Sequence, residues 1–167
     1  RLAPLLNGDQ RQMELVNSLL FTLPGSPLLY YGDEIGMGDN IWLKDRDGVR
    51  TPMQWSDDLN AGFSAAPAEK VYARPIEDER FTYRRVNVAA QRADSKSLWH
   101  ALRRMIAVRK GHRGFGRGNY EFLDLDNRAV LAIARTFKEE TVLAGHNLSP
   151  EAQTIQLDLR RWPDARL

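Results

Sequence analysis

The chain has 167 residues, 43% of them hydrophobic and 28% charged, which is typical of a globular domain with its own core and excludes disorder along the whole chain. A mean hydropathy of −0.50 without a long apolar run excludes a membrane-spanning helix. The chain has no cysteine, which excludes disulfides and thiolate sites. The absence of cysteine also predicts a reducing, cytoplasmic location. The 24 basic and 22 acidic residues leave a net charge of only +2, so nucleic acid is not an expected partner.

The first predicted elements are a helix and a buried strand. Asn7 and Asp9 are candidate N-caps, apolar residues then recur at helical spacing over 13–23, and Pro24 and Gly25 end the helix. The apolar run over 28–31 predicts a strand buried on both faces, as in parallel α/β proteins. Such a strand needs neighbouring strands to pair with, and the chain begins with arginine. We therefore expect the chain to be the C-terminal portion of a longer protein, with boundaries that are not natural.

Regular periodicity is absent from about residue 32 to residue 94. Connections in compact domains usually have roughly 4 to 6 residues, so a segment of this length is either disordered or functional. Its aromatic residues are Trp42, Trp55, Phe63, Tyr72, Phe81 and Tyr83. Disordered segments contain few aromatic residues, so an ordered, functional loop is expected.

A second amphipathic helix is predicted over 98–109, with Asp94 or Ser95 as its N-cap and Gly111 and Gly114 as stop signals. One face of this helix is rich in basic residues and is expected to be solvated. These residues are Arg103, Arg104, Arg109 and Lys110.

After Gly118 the period of the hydrophobic pattern changes from helical to two, which predicts antiparallel strands over 120–125, 129–135, 141–147 and 153–159. In the last of them Ile155, Leu157 and Leu159 alternate with polar residues, so we expect these three side chains to face the core of a small sheet domain.

Charged residues and tryptophans are concentrated in the segment that follows the predicted buried strand. They are Asp33, Glu34, Asp39, Trp42, Asp45, Arg46, Asp47, Arg50 and Trp55. This composition suits a hydroxyl-rich ligand, because indoles stack on apolar sugar faces and guanidinium groups form paired hydrogen bonds. The alternative is a structural salt-bridge network, which composition alone favours.

Two sequence motifs carry a specific resemblance. Residues 23–37, LPGSPLLYYGDEIGM, resemble the last barrel strand of the α-amylase superfamily of glycoside hydrolases, and residues 46–55, RDGVRTPMQW, resemble the following motif of its α-glucosidase and glucosyl-isomerising members. Residues 60–64 and 86–88 extend the match. The resemblance implies an α/β fold: the end of a (β/α)8 TIM barrel over 1–113, with strand eight at 28–31 and helix eight at 98–109, then an antiparallel β-sandwich-like domain over 114–167.

Within that superfamily the chain is most similar to trehalose synthases, which interconvert maltose and trehalose by retaining, double-displacement glucosyl transfer. A short link joins the strand to the arginine motif, whereas oligo-1,6-glucosidases tend to have a longer insertion and asparagine where Gly48 stands. Two alternatives stay open. One is an α-glucosidase that hydrolyses its substrate, and the other is a non-catalytic sugar-binding or assembly module.

The resemblance places no catalytic residue in this chain. The family's nucleophile, acid/base and third aspartate are expected upstream of Arg1, so the chain alone is expected to be inactive. Arg46, Asp47 and Arg50 are the candidate substrate-binding residues, with Arg46 on the glucosyl unit or on an early barrel aspartate. Asp47 is expected to orient the arginines. Trp55 is expected to anchor the loop on the barrel by packing.

No cofactor or metal is expected from the residues in hand. His100, His112 and His146 are scattered and lack ligand spacing, although a structural calcium site upstream of the chain is left open. The expected partner is a small disaccharide, with no nucleic acid and no membrane, while the oligomeric state and a fused kinase domain are left open.

Overall fold

The structure, a computed structural model, describes residues 1–162. Over that range it contains five α-helices: α1 (Leu2–Leu5), α2 (Gln10–Thr22), α3 (Val88–Ala93), α4 (Leu98–Gly111) and α5 (Gly114–Arg117). Three strands follow them: β1 (Asn119–Leu123), β2 (Val130–Phe137) and β3 (Glu140–Asn147). None of the helices over this range is long and apolar enough to cross a membrane.

The chain divides into two compact units. The first comprises Arg1–Val16 and Leu28–Arg104, and the second comprises Asn17–Pro27 and the chain from Met105 onward. The proposed division into a barrel part over 1–113 and a sheet domain over 114–167 follows different boundaries and stays a prediction.

Helix α2 confirms the first predicted helix and shows how it begins. The carboxylate of Asp9 accepts a hydrogen bond from the backbone N–H of Gln12 at 3.1 Å, whereas Asn7 adopts a positive φ of 52° and turns the chain before the helix. Met13 is buried as expected, and Phe21, outside the predicted apolar stripe, is buried as well. Asp9 is therefore the N-cap.

The segment 28–31 does not form a strand in the described chain. Leu28 is 87% exposed, and Tyr30 accepts only a turn hydrogen bond from the N–H of Asp33. The prediction of a strand buried on both faces is wrong for this chain, because a strand takes its hydrogen-bond ladder and its covered faces from neighbours and no parallel partner occurs over 1–162. The barrel itself stays a prediction.

The long segment after Gly32 has its own core, built from Ile35, Met37, Ile76 and Phe81. Short 3-10 turns punctuate it at Asp33–Ile35, Asp45–Val49, Leu59–Gly62 and Ala68–Lys70. Helix α3 follows and was not predicted. The side chain of Asn87 caps α3 by accepting a hydrogen bond from the N–H of Ala90 at 2.8 Å.

Helix α4 confirms the second predicted helix but has a different cap. The hydroxyl of Ser97 accepts from the N–H of His100 at 3.5 Å, and the side-chain oxygen of Gln91 accepts from the N–H of Trp99 at 3.1 Å. Asp94 and Ser95 therefore do not cap it. The basic face is only partly solvated, because Arg109 donates to the carbonyl oxygens of Phe21 and Gly25.

The three strands form an antiparallel sheet in the order β1-β2-β3. Ile133 pairs with Phe122 on one side and Ala144 on the other, and Ala132, Ile133 and Ala134 are buried. The fourth predicted strand, 153–159, is absent from the described sheet. Its alternation persists, because Ile155, Leu157 and Leu159 are half-buried while the residues between them are exposed.

Candidate functional site

A cavity of about 580 Å³ lies in the first unit. Its lining is mainly apolar and aromatic, and its polar groups are a guanidinium, a carboxyl group and three hydroxyls. The lining residues are Tyr31, Glu34, Arg50, Thr51, Pro52, Met53, Trp55, Phe63, Val71, Tyr72 and Ala73. Aromatic rings around a small number of polar groups are typical of a small-molecule site.

The stretch 50–55 forms one wall of this cavity and is held from behind by buried polar side chains. Thr51 and Gln54 are both fully buried. The amide nitrogen of Gln54 donates to the carbonyl oxygens of Phe81 and Val86, which fixes the stretch against the core of the loop. The backbone that carries Trp55 is thus held in place, and the side chain of Trp55 lines the cavity.

A left-handed turn precedes Phe63, another residue of the cavity lining. Asn60 and Ala61 both have positive φ, at 52° and 61°, and the amide of Asn60 donates to the carbonyl oxygens of Ser64 (2.9 Å) and Ala66 (2.7 Å). Ala61 in turn accepts a hydrogen bond from the N–H of Trp55 at 2.9 Å. These hydrogen bonds stabilise the unfavourable positive-φ conformation of Asn60 and Ala61. They thereby fix the backbone of Trp55 relative to that of Phe63.

Tyr31 connects the end of the 28–31 segment to the cavity wall. Its hydroxyl donates to the carbonyl oxygen of Thr51 at 2.7 Å, with the carbonyl of Val49 at 3.3 Å. Burial raises the pKa of the Tyr31 phenol above its ordinary value, so the ring stays neutral and keeps its donor. Glu34 is held locally, because its carboxylate accepts a hydrogen bond from the N–H of Gly32 at 2.7 Å.

Only one of the three predicted site residues belongs to the described cavity lining. Arg50 lines the cavity, as does Trp55. Arg46 and Asp47 are not part of the lining: Arg46 is 74% exposed with its Nε 3.7 Å from Asp45, and Asp47 lies 4.0 Å from Arg50 Nη1. Such exposed ion pairs contribute little to stability.

The aromatic residues of the cavity lining were not predicted as site residues. Trp55 was expected to anchor the loop on the barrel by packing; in this chain it is 51% exposed and lines the cavity, and its packing on the barrel stays a prediction. Tyr31, Phe63 and Tyr72 were not predicted as site residues. The spacing of aromatics along the loop was the available signal, and it was used only to argue that the loop is ordered.

The three histidines contact different parts of the chain. The Nε2 atom of His100 lies 3.1 Å from the carbonyl oxygen of Arg92, and Nδ1 of His112 lies 2.7 Å from Glu140. His146 is buried with Nε2 2.9 Å from the hydroxyl of Thr22. Across 1–162 no group of three metal-ligating side chains comes together.

Two family matches cover nearly the whole chain. Residues 1–118 match the family described as Alpha amylase, catalytic domain, and residues 120–167 match the family described as Maltogenic Amylase, C-terminal domain.

Trehalose synthases are among the relatives of this chain. It is 53% identical to Trehalose synthase/amylase TreS of Mycobacterium tuberculosis over 165 residues, which are 97% of this chain and 28% of that protein. It is 48% identical to Trehalose synthase of Thermus thermophilus, over 97% of this chain and 17% of that protein. The chain thus spans less than a third of either relative. The Oligo-1,6-glucosidase of Parageobacillus thermoglucosidasius is only 26% identical, over 86% of this chain and 30% of that protein.

The structure is also similar to solved structures. The crystal structure of the trehalulose synthase MutB from Pseudomonas mesoacidophila MX-45 superimposes with a TM-score of 0.70 at 25% sequence identity, over 86% of this chain and 32% of that one. The similarity in fold agrees with the family match over residues 1–118, which covers more than half of the chain. The chain therefore belongs to the α-amylase family.

Proposed function

We propose that this chain is the C-terminal part of a trehalose synthase-type enzyme, in which it supplies one wall of the pocket where maltose and trehalose are interconverted. The observation that carries the proposal is that Arg50 and Trp55, both on the 50–55 stretch, line the same cavity. An indole ring can cover the apolar face of a glucosyl unit, and a guanidinium can donate two hydrogen bonds to its hydroxyls. The similarity to trehalose synthases supports the choice of sugar.

The reaction would proceed by two displacements at one anomeric carbon. A carboxylate attacks that carbon while a carboxylic acid gives its proton to the departing glycosidic oxygen, and a glucosyl-enzyme and free glucose result. The anomeric hydroxyl of the retained glucose then attacks the same carbon, returns its proton to the acid/base carboxylate and releases trehalose. We place these carboxylates outside this chain. Here the chain binds the sugar and keeps water from the intermediate.

Arg46 and Asp47 stay in the proposal as contacts that the complete enzyme forms. Both side chains are exposed and engage only a near neighbour in the chain, at 3.7 Å and 4.0 Å. They are therefore available to the glucosyl unit or to a carboxylate outside this chain. We propose no cofactor and no metal for this part of the enzyme.

The decisive experiment gives maltose to the complete enzyme in the presence of 13C-labelled free glucose. We expect unlabelled trehalose to accumulate, because the glucose that leaves maltose is retained and does not exchange with the labelled pool. Production of glucose alone would establish the α-glucosidase alternative, and binding of maltose without turnover would establish a non-catalytic module. The isolated 167-residue chain is the matched control and is expected to turn over no maltose.

A further inference from the structure

The guanidinium of Arg1 contacts three segments of the chain, two of which contribute residues to the cavity lining. Its Nη1 atom donates to the carbonyl oxygen of Gly38 at 2.8 Å and to the hydroxyl of Thr51 at 3.2 Å, and its Nε atom donates to the carbonyl oxygen of Tyr31 at 3.2 Å. The guanidinium carbon also lies 4.9 Å from the centre of the Tyr31 ring, within cation–π range. One side chain therefore joins two lining residues, Tyr31 and Thr51, that are 20 positions apart in the sequence.

The backbone around Arg1 leaves room for this arrangement at one position. Gly32 has a φ of 92°, and a Cβ atom at this residue would lie 3.1 Å from the Nε atom of Arg1 and 2.6 Å from the sulfur of Met37. Only glycine satisfies both the positive φ and the close approach without displacement of neighbouring atoms. Gly32 is thus required where the guanidinium passes beneath the cavity lining.

The planar fork of arginine is the chemical feature used here. The carboxylate of Asp39 lies 3.4 Å from Nη1 and offsets part of the positive charge, while Nη2 is buried and lacks a hydrogen-bond partner among residues 1–162. A buried donor without an acceptor is unfavourable for stability. An apolar side chain could fill this space without burying an unpaired nitrogen. Only the planar guanidinium of arginine can donate to Tyr31, Gly38 and Thr51 at the same time.

We propose that Arg1 is a positioning residue of the sugar pocket, a role that rests on the proposed function. It fixes Tyr31 and Thr51 relative to each other, and through them it holds the 50–55 wall in the geometry that receives the sugar. The hydrogen bond from the Tyr31 hydroxyl to the Thr51 carbonyl forms the second link between the same two residues. Loss of Arg1 leaves one link instead of two, so the wall loosens and water gains access to the glucosyl-enzyme.

The test compares Arg1→Met and Arg1→Lys in the complete enzyme with Arg11→Met, which removes an exposed arginine on α2. We expect Arg1→Met to raise the KM for maltose by about threefold or more and to raise the glucose-to-trehalose product ratio at least about twofold, with a smaller effect on kcat. Arg1→Lys should fall between, because the ammonium keeps a charge over the Tyr31 ring but cannot span the three acceptors. Arg11→Met should match the wild type.

A readout independent of activity is hydrogen exchange of the backbone amides around Tyr31 and Thr51. We expect faster exchange at both places in Arg1→Met and unchanged exchange in Arg11→Met. Thr51→Val completes a double-mutant cycle, in which the KM effects of Arg1→Met and Thr51→Val should be less than additive.

These measurements separate the two proposals. A wild-type enzyme that makes no trehalose contradicts the proposed function, and the exchange data then still report whether Arg1 holds Tyr31 and Thr51. Unchanged exchange in Arg1→Met overturns the inference whatever the enzyme makes from maltose. In an enzyme that does make trehalose, faster exchange with an unaltered KM and product ratio also overturns it, since Arg1 would then be structural only.

Discussion

Gly48 approaches the backbone of Asn40 so closely that a Cβ atom at residue 48 would lie 2.5 Å from the Asn40 carbonyl oxygen. The approach is reinforced by a hydrogen bond from the N–H of Asn40 to the carbonyl oxygen of Gly48 at 3.0 Å. This contact closes the short link between the end of the 28–31 segment and the arginine motif. It explains why glycine occupies position 48.

The first prediction is that Gly48→Ala destabilises the protein by about 1–3 kcal/mol, because the added methyl group must displace the backbone of Asn40. Thermal unfolding of the complete enzyme measures the effect. Gly111→Ala is the matched control, since a Cβ atom at that position meets no atom within 4 Å. Ala is the better helix former, so this control should be neutral or stabilising. Equal stability of Gly48→Ala and the wild type would show that the link adjusts freely.

The second prediction concerns Arg135, a guanidinium only 2% exposed in strand β2. It donates to the carbonyl oxygens of Thr22 (2.9 Å), Gly114 (3.1 Å) and Phe115 (2.7 Å), and burial lowers its pKa. The Gly114 carbonyl oxygen also accepts from the N–H of Gly118, so Arg135→Met would deprive chiefly the carbonyl oxygens of Thr22 and Phe115 of their donor and should destabilise the protein by about 3–5 kcal/mol. Arg104→Met, on the exposed face of α4, should change the unfolding midpoint little. Similar losses in the two variants would contradict a role for these bonds.

The third prediction is a pH dependence of stability that arises from His146. Burial lowers the pKa of this imidazole below 6.5, and its two ring nitrogens face the hydroxyls of Ser18 (3.3 Å) and Thr22 (2.9 Å). The unfolded chain therefore binds the proton more readily than the folded chain. His146 contributes its full stability above about pH 6.5, and this stability is lost as the pH falls through the lower folded pKa. Urea unfolding at several pH values should show a shallower acid dependence in His146→Gln; identical curves would assign the dependence to other groups.

The parts of the fold that sequence could predict are those whose causes are local. The spacing of Met13 and its neighbours identified α2, the stripe beginning at Leu98 identified α4, and the period of two identified β1 to β3. The prediction of a strand over 28–31 was wrong, because a strand forms only beside neighbouring strands and the local hydrophobic pattern does not show whether they are present. The hydrogen bonds from Arg109 and Arg135 to the end of α2 could not be predicted from the sequence either. They join residues that are 88 and 113 positions apart.

The same division applies to the candidate site. The charged motif pointed to Arg50, which does line the cavity, because motif and wall are one continuous stretch. The same motif also predicted Arg46 and Asp47, which lie in a 3-10 turn outside the cavity lining. The local sequence does not show which charged side chains of the motif line the cavity. Phe63 follows the left-handed turn at Asn60 and Ala61, a backbone conformation that aromatic spacing alone does not encode.

The fourth prediction concerns the alternation that persists after β3. Leu157 is half-buried and Gln156 is exposed, so a new carboxylate should be costly at the first position and tolerated at the second. We expect Leu157→Asp to destabilise the second unit by about 1–3 kcal/mol and Gln156→Asp by less than about 0.5 kcal/mol. Thermal unfolding of both variants in the complete enzyme makes the comparison. Equal shifts would mean that the two faces of this segment are equivalent.

The last prediction distinguishes the two arginines of the motif. Arg50 lines the cavity, whereas Arg46 is exposed and 3.7 Å from the carboxylate of Asp45. Lysine keeps the positive charge at either position but loses the paired donors of a guanidinium. If the complete enzyme binds the glucosyl unit through both residues, each Arg→Lys change should lower the turnover of maltose. The larger loss is expected at Arg50, which the cavity geometry already orients.

The expected size follows from the bonding that is lost. Removal of about 1.5–3 kcal/mol of charge-assisted hydrogen bonding lowers kcat/KM by on the order of tenfold or more, and a looser pocket raises the share of maltose that ends as free glucose. Product analysis of Arg50→Lys, Arg46→Lys and Arg80→Lys measures both quantities, with Arg80 as the control because its exposed pair with Asp78 lies outside the cavity lining. If Arg46→Lys matches the wild type in rate and glucose release while Arg50→Lys does not, only Arg50 contacts the sugar. If both match it at equal stability, the motif is a surface feature and the site assignment fails.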